Sequence, residues 1–375
     1  MHSTRNTPIS SDSNTPDRQA FYEAISQHHL SPLWEVLHAL VPTTPNTPCS
    51  PAHWAYSDIR PYLMQSGQLI SAEEAVRRVL ILENPGLPGQ SAITQSLYAG
   101  LQVIMPGEVA PSHRHTQSAL RFVIEGLGAY TAVDGERTQM KPGDFIITPS
   151  WTWHDHGHHG HQGHHGHQGK VEADEPVVWL DGLDIPMLKF FDAGFAENGS
   201  AASQAVTKPE GINIHKYGAN MMPMRHDAPF GRTSPIFSYP YDRTREALHN
   251  LEMHEAVDAW DGVKLRYINP STGGAPMPTL ATFMQRLPAG FAGQPYRQTD
   301  GTVFSVVEGH GSVSIEHDGE ALVYQFGPRD HFVIPSWHTA RLLSQSGCVL
   351  FSFSDRKSTR LNSSHRNTSR MPSSA

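Results

Sequence analysis

The sequence predicts an all-β body of two homologous barrels, preceded by short helices and joined by an irregular linker. Three observations predict it. Glycine (31) and proline (29) are frequent and spread along all 375 residues. Short β-branched and aromatic runs lie between them, the texture of strands and hairpins. Finally, the runs fall into two blocks that resemble each other, the signature of an internal repeat.

The elements follow in order. Residues 1–18 are polar, with no apolar stretch of the kind a secretory leader carries, and read as a disordered tail. Residues 19–94 form an N-terminal helical and irregular segment. Within it, 19–41 has helical apolar spacing interrupted at Pro32, which predicts two short helices. Residues 42–59 read as a Pro/Thr-rich connection. A further helix is expected around Ser71–Leu82, with Ser71 as N-cap and Glu74 three residues on. The first barrel spans 95–184 and carries LYAGLQVIM, ALRFVIEG, GAYTAVDG, DFIITP and PVVWLDGL. Residues 185–280 read as the linker, with a helix near Arg243–Met253. The second barrel spans 281–354 and carries TFMQRLP, TVFSVVEGHGSVSIEHDG, HFVIPSWHTA and CVLFSFS. The matching stretches are FVIEGLGAY (122–130) with SVVEGHGSV (305–313), and GDFIITPSWTWH (143–154) with RDHFVIPSWH (329–338).

Two segments look foreign to this plan. Residues 158–169 repeat HHGHQG without change and should form an exposed loop. Residues 355–375 are polar and aperiodic, and DRKSTRLNSSH (355–365) resembles the translation of a sequencing adapter. The expectation is that the natural C-terminus has been replaced and that no function lies beyond about Ser354.

Composition narrows the partners. A net charge of −8 gives no electrostatic footprint for nucleic acid or for an anionic membrane. No apolar run reaches the roughly 18 residues that would cross a bilayer. Two cysteines, Cys49 and Cys348, are too few for a disulfide framework or a thiolate zinc site, and a reducing cytoplasmic compartment fits them.

The chemistry concentrates in G-E-V-A-P-S-H-R-H (107–115). Histidines at i and i+2 on a strand point to the same face, here His113 and His115. About forty residues on, G-D-F-I-I-T-P-S-W-T-W-H (143–154) ends in His154, and a hairpin return would bring it opposite the pair. Three neutral imidazoles on one side of a cation leave coordination positions open. In the second barrel the place of H-R-H reads Tyr296-Arg297-Gln298, and only His338 remains, so that barrel should be metal-free and structural.

These two motifs are similar to those of the bicupin family, and the resemblance implies that each barrel is a double-stranded β-helix, or jelly roll. The glutamate that usually follows the second histidine is absent, since Ala119 and Leu120 stand there. The usual P-x-G of the second motif reads Pro149-Ser150-Trp151. Within the bicupins, APSHRHTQSALRFVIEG, VDGERT, TPSWTWHDHG and WLDGLD resemble the gentisate 1,2-dioxygenases. RRVLILENPG (77–86), NPSTGGAPMPT (269–279) and VLFSFSD (349–355) resemble the same group, which includes salicylate and 1-hydroxy-2-naphthoate dioxygenases. The resemblance runs from about residue 20 to 354.

What it implies is specific. Fe(2+) would be held by His113, His115 and His154. Gentisate and O₂ would be the substrates, and cleavage between C1 and C2 would give maleylpyruvate. Arg121 would bind the substrate carboxylate, and Arg77 would reach into the pocket, with Arg78 as the alternative. His156 would act as an acid/base near the substrate hydroxyl, and Asp181 would orient His156 or another imidazole. Tyr98 and Gln102, on one face of one strand, would line the pocket. The salicylate-accepting members carry tryptophan where this chain has Tyr98, which favours gentisate. A homo-oligomer, a tetramer, is also implied. The competing readings are salicylate or 1-hydroxy-2-naphthoate dioxygenase, or a metal-binding cupin isomerase or decarboxylase.

Overall fold

The computed structural model describes residues 15–160, 175–219, 221, 223–224 and 232–355. Most of the polar tail, of the HHGHQG repeat and of the adapter-like segment lies outside them.

Among the described residues, those up to Asn46 form one compact unit and those from Thr47 onward another. In the first, α1 (Pro16–Ser26) and α2 (Leu33–Leu40) are separated near Pro32. Helix α1 takes in the last three residues of the expected tail, with proline at its first turn, where a missing N–H costs nothing. Arg18 bonds Glu35 at 3.0 Å, and the Trp34 indole donates to the Tyr22 hydroxyl at 2.8 Å, which ties the two helices together.

The second unit opens with β1 (Ala52–Trp54), α3 (Tyr56–Leu69), α4 (Ala72–Ala75) and β2 (Val79–Ile81). The first barrel then runs β3 (Tyr98–Ile104), β4 (Val109–His115), β5 (Ala119–Glu125), β6 (Ala129–Val133), β7 (Glu136–Gln139), β8 (Phe145–Thr148), β9 (His154–His158) and β10 (Val177–Leu183). Between the barrels lie α5 (Ile185–Phe190), β11 (Ala196–Asn198), α6 (Ile212–Tyr217), β12 (Ser238–Tyr239), α7 (Tyr241–His254) and β13 (Val263–Arg266). The second barrel comprises β14 (Leu280–Leu287), β15 (Phe291–Ala292), β16 (Tyr296–Arg297), β17 (Thr302–Gly309), β18 (Gly311–His317), β19 (Glu320–Phe326), β20 (His331–Ile334), β21 (Thr339–Ser344) and β22 (Cys348–Asp355).

Each barrel is a pair of sheets. The first pairs β12-β8-β5-β10-β3-β2 with β11-β4-β9-β6-β7. The second pairs β1-β20-β17-β22-β14-β13 with β15-β21-β18-β19, and β16 adds to β21. The flanking segments therefore do more than connect. Strands β2, β11 and β12 extend the first barrel, whereas β1 and β13 extend the second. The sequence reading had placed no strand in 42–94 or 185–280. These strands are two to four residues long, below the length at which period-2 alternation can be read.

Helix boundaries moved for similar local reasons. Ser71 does cap a helix, accepting from the Glu74 N–H at 3.1 Å, but the helix ends at Ala75. Val76 takes φ +55, and the chain enters β2 instead of continuing to Leu82. The longer helix α3 has Pro61 inside it and polar residues along it; its first turn falls in the 42–59 read as connection, and the rest precedes the helix expected only from Ser71.

One large core joins the barrels. Phe122 of β5 stacks on Phe351 of β22, ring centroids 4.0 Å apart and planes 4° from parallel. Leu101, Phe145, Trp179, Val303, Met284 and Phe353 belong to the same buried cluster. A second cluster fills the interior of the second barrel around Phe304, Phe332 and Leu350. Cys49 and Cys348 are buried in separate clusters. Among the described residues no helix is long and apolar enough to cross a membrane.

Candidate metal centre and pocket

Strand β4 carries His113 and His115 on one face, and β9 returns antiparallel with His154 directly across from His113. The ring centroids of His113 and His154 are 4.1 Å apart, those of His115 and His154 4.8 Å, and those of His113 and His115 5.3 Å. One nitrogen from each ring lies within 4.8 Å of the others. Among the described residues this is the group of three or more histidine, cysteine or carboxylate ligands with metal-like spacing.

Tautomers are set from outside. His115 Nδ1 donates to the Gln117 carbonyl and His154 Nδ1 to the Thr152 carbonyl, both at 2.9 Å. Each ring is left with a bare Nε2, and that of His154 is buried with no protein partner. Burial first, then the neighbouring cations, pushes His113 down to about 3 and His115 down to about 4. The imidazoles are thus neutral at pH 7, the form that binds a cation. The donor set fits a divalent transition metal. His113 has one complication. Arg77 donates to its Nδ1 and also to the Pro111 carbonyl, at 2.5 Å. For His113 to present Nε2, its Nδ1 must carry the proton, so Arg77 has to turn away from it.

Above the triad the pocket is cationic. Arg121 is buried on β5, and its Nε lies 3.6 Å from Asp181 Oδ1 across β10. Its guanidinium also donates to the Thr148 hydroxyl. Burial, and then Arg121, depress Arg77 to about 10. Two guanidiniums close enough to repel one another favour an anion between them. Arg78, the alternative to Arg77, is committed elsewhere, bonding both oxygens of Glu108 at 2.8 and 2.9 Å.

His156 is fully buried on the same face as His154, ring centroids 5.8 Å apart. Its Nδ1 pairs with the Thr131 hydroxyl at 2.9 Å, and its Nε2 has no protein partner. Asp181 was expected to orient an imidazole. It instead accepts from the Trp179 indole at 3.1 Å and faces Arg121, because β10 runs beside β5 and not beside β9. Burial pushes its carboxyl up to about 6. Gln102 is buried in register with Trp179, on the same side of the sheet. Tyr98 shares that face. A Cβ on Gly100 would stand 2.9 Å from its hydroxyl, so glycine there leaves room for the ring.

The sequence reading missed Thr131, Thr148 and Trp179. All three are buried and face the site from apolar strands, and a lone threonine in AYTAV or FIIT was the available signal. It also missed His317, whose Nδ1 lies 3.0 Å from His338 Nε2 in the second barrel. Beside them the buried Gln298 donates to the Thr302 hydroxyl, and an apolar cluster surrounds Phe304, Phe332 and Leu350. Phe304 and Ser352 pair where Arg121 and Asp181 pair in the first barrel, and Phe304 stacks on Phe332 at 4.6 Å.

A cupin domain model matches residues 100–165, the stretch that holds the triad, Arg121 and His156. The chain is 50% identical over 342 residues to gentisate 1,2 dioxygenase 1 of Aquipseudomonas alcaligenes, covering 91% of this chain and 93% of that protein. The chain belongs to the gentisate 1,2-dioxygenase family. A gentisate 1,2-dioxygenase of Streptomyces sp is 35% identical over 87% of this chain and 88% of its own. Among solved structures, the salicylate 1,2-dioxygenase from Pseudoaminobacter salicylatoxidans as adducts with gentisate superimposes with a TM-score of 0.83 at 34% identity. It covers 93% of this chain and 92% of that one. Membership in this family agrees with the all-β fold, and the three-histidine group stands in the matched domain.

Proposed function

We propose that the protein is a ring-cleaving dioxygenase that opens gentisate between C1 and C2 to give maleylpyruvate, with Fe(2+) held by His113, His115 and His154. The observation that carries this reading is the bare, buried Nε2 of His154 converging with two other imidazoles beneath two guanidiniums. Ferrous iron in that triad supplies the electron exchange that a spin-paired ring and triplet O₂ lack by themselves. The absent fourth protein ligand leaves room for an aromatic hydroxy acid and O₂.

The side chains divide the remaining work. Arg121 receives the substrate carboxylate, held in place by Thr148 and Asp181. Arg77 turns from His113 to the same anion, which frees His113 to present its ligand nitrogen. His156, its Nδ1 fixed by Thr131, offers Nε2 to a substrate hydroxyl and takes its proton. Asp181 serves Arg121. Tyr98 and Gln102 line the wall, and tyrosine at that position supports gentisate over salicylate. The family resemblance supports a homo-tetramer and the cysteine usage a cytoplasmic location, and the exposed Trp34, Leu37 and Leu40 of α2 support association of copies.

The test is direct. Metal-free protein is loaded with Fe(2+) without oxygen, then given O₂ with gentisate, salicylate or 1-hydroxy-2-naphthoate. Maleylpyruvate absorbance with gentisate is expected. No oxygen uptake with any of the three overturns the reading.

A further inference from the structure

The two barrels differ by two residues just before the histidine of β9. The first reads Pro149-Ser150-Trp151-Thr152-Trp153-His154, and the second reads Pro335-Ser336-Trp337-His338. Both turns start alike. Trp151 N–H donates to the His115 carbonyl at 2.7 Å, and Trp337 N–H to the Gln298 carbonyl at 2.8 Å. Both tryptophans sit in the left-handed region, φ +62 and +67, where a glycine would be at ease. The registers then part. His154 stands opposite His113. In the second barrel Tyr296 pairs with Ala340 and Arg297 with Thr339, and one further step puts His338 opposite Gln298, the position equivalent to His115. The extra Thr152 and Trp153 thus carry the third histidine two residues further along the strand.

Something must hold that extension, since a left-handed tryptophan followed by two added residues has alternatives. Arg114 lies between the two ligands of β4 and points to the opposite face. Its guanidinium carbon is 4.4 Å from the Trp151 ring centroid and 4.7 Å from that of Trp153. Its Nε and Nη2 both bond Glu197 Oε2, at 2.8 and 2.5 Å, from β11, which pairs Glu197 with Arg114. Phe195 also packs against Trp151, ring centroids 4.6 Å apart. The second barrel has Arg297 in the equivalent place, but it bonds Thr339 and has no second indole to hold.

We propose that Arg114 is a positioning residue for the three-histidine site. Wedged between Trp151 and Trp153 and anchored by Glu197, it fixes the two-residue extension that sets His154 opposite His113. Cation–π contacts on two indole faces tie the strand that bears two ligands to the turn that presents the third. Barrel one therefore owes its metal site to a register shift as well as to its histidines. The proposal rests on the reading of the triad as a metal site.

The experiment is a Co²⁺ titration of the full metal-free chain, followed by the visible ligand-field bands, with His154→Ala defining signal from other histidines. Arg114→Gln and Trp153→Leu are each expected to weaken the triad's affinity about 10–100-fold, the usual effect of removing a group that orients a ligand. Arg297→Gln should leave it unchanged. Thermal unfolding of the metal-free variants shows that the protein is folded. Affinity within twofold of the parent in folded Arg114→Gln overturns the proposal. If that variant does not fold, the same result in Trp153→Leu overturns it. If the parent and His154→Ala bind Co²⁺ alike, the metal-site reading itself fails, which is a different outcome.

Discussion

Tyr56 and Tyr241 stand at the first positions of equivalent helices and make the same bond to opposite barrels. Tyr56 N–H donates to Asp330 Oδ1 of the second barrel at 2.8 Å, and Tyr241 N–H to Asp144 Oδ1 of the first at 2.9 Å. One turn on, Arg60 bonds Glu125 and Arg245 bonds Glu308, each in the other barrel from the aspartate. Helices α3 and α7 thus cross-brace the two barrels, and the repeat includes a strand and a helix before each barrel (β1-α3 and β12-α7).

Removing either brace should weaken the whole second unit. Asp330→Ala and Asp144→Ala each delete a side chain that satisfies the N–H of a helix's first residue, at a cost of about 1–2 kcal/mol. Denaturant unfolding is expected to show a lower midpoint with a single transition. A separate early transition would mean that the barrels unfold independently.

Ligand and non-ligand histidines should separate cleanly. His113→Ala, His115→Ala and His154→Ala are each expected to abolish stoichiometric Fe(2+) binding by the triad. His156→Ala should bind iron as the parent does and lose turnover, on the order of 100-fold for a missing proton acceptor. Iron analysis beside oxygen uptake checks both, and loss of iron in His156→Ala would reassign the ligand. Because burial holds His113 near 3 and His115 near 4, protons compete for these ligands only in that range. Affinity should stay nearly flat from pH 8 to about 5, where ordinary imidazoles, near 6.5, would already be protonated.

Arg121 should act on binding. Arg121→Lys keeps the charge but not the two-pronged geometry that grips a carboxylate. Its KM for gentisate is expected to rise at least tenfold, with iron content unchanged. Steady-state oxygen consumption at varied gentisate checks this, and an unchanged KM would place the carboxylate elsewhere.

His331 makes the second barrel acid-sensitive. It is fully buried, and neither ring nitrogen has a hydrogen-bond partner. Burial first, opposed by Asp330 and assisted by His53, depresses it to about 3. The unfolded chain takes up this proton near 6.5, so between about 6.5 and 3 the unfolded state binds more protons, and stability falls as pH falls. His331→Leu removes an unsatisfied polar group and should add about 1–2 kcal/mol at pH 7. Its advantage over the parent should widen as the pH is lowered to 5. Thermal melts at both pH values test this, and a constant difference would show that His331 does not titrate.

Much of this was readable in the chain itself. The i, i+2 spacing of His113 and His115 and the later Trp-His motif carry the triad, because strand periodicity leaves no other way to place them. Long strands such as β5, β10 and β22 show their alternation or their apolar density. What stayed hidden depends on register. Asp181 faces Arg121 instead of an imidazole because of which strands are neighbours, a fact with no local trace. Thr131 and Thr148 look like ordinary strand residues until the pairing is known. Helix α3, with an internal proline, contradicts its own local preferences and is held by Asp330 and Glu125, which lie far along the sequence.

His158 ends β9 and closes the account of the foreign repeat. Its Nε2 donates to the Glu175 carbonyl at 3.0 Å, while its Nδ1 accepts the Gly160 N–H at 3.0 Å. The chain therefore departs and re-enters at one tied point, four residues past His154. For a flexible loop closed at such a tie, each doubling of length costs only about 0.6 kcal/mol of closure entropy. Replication slippage at this position would be close to neutral for the enzyme. The same tie marks the place where a tag or a small domain could be spliced into the chain without disturbing the metal centre beside it.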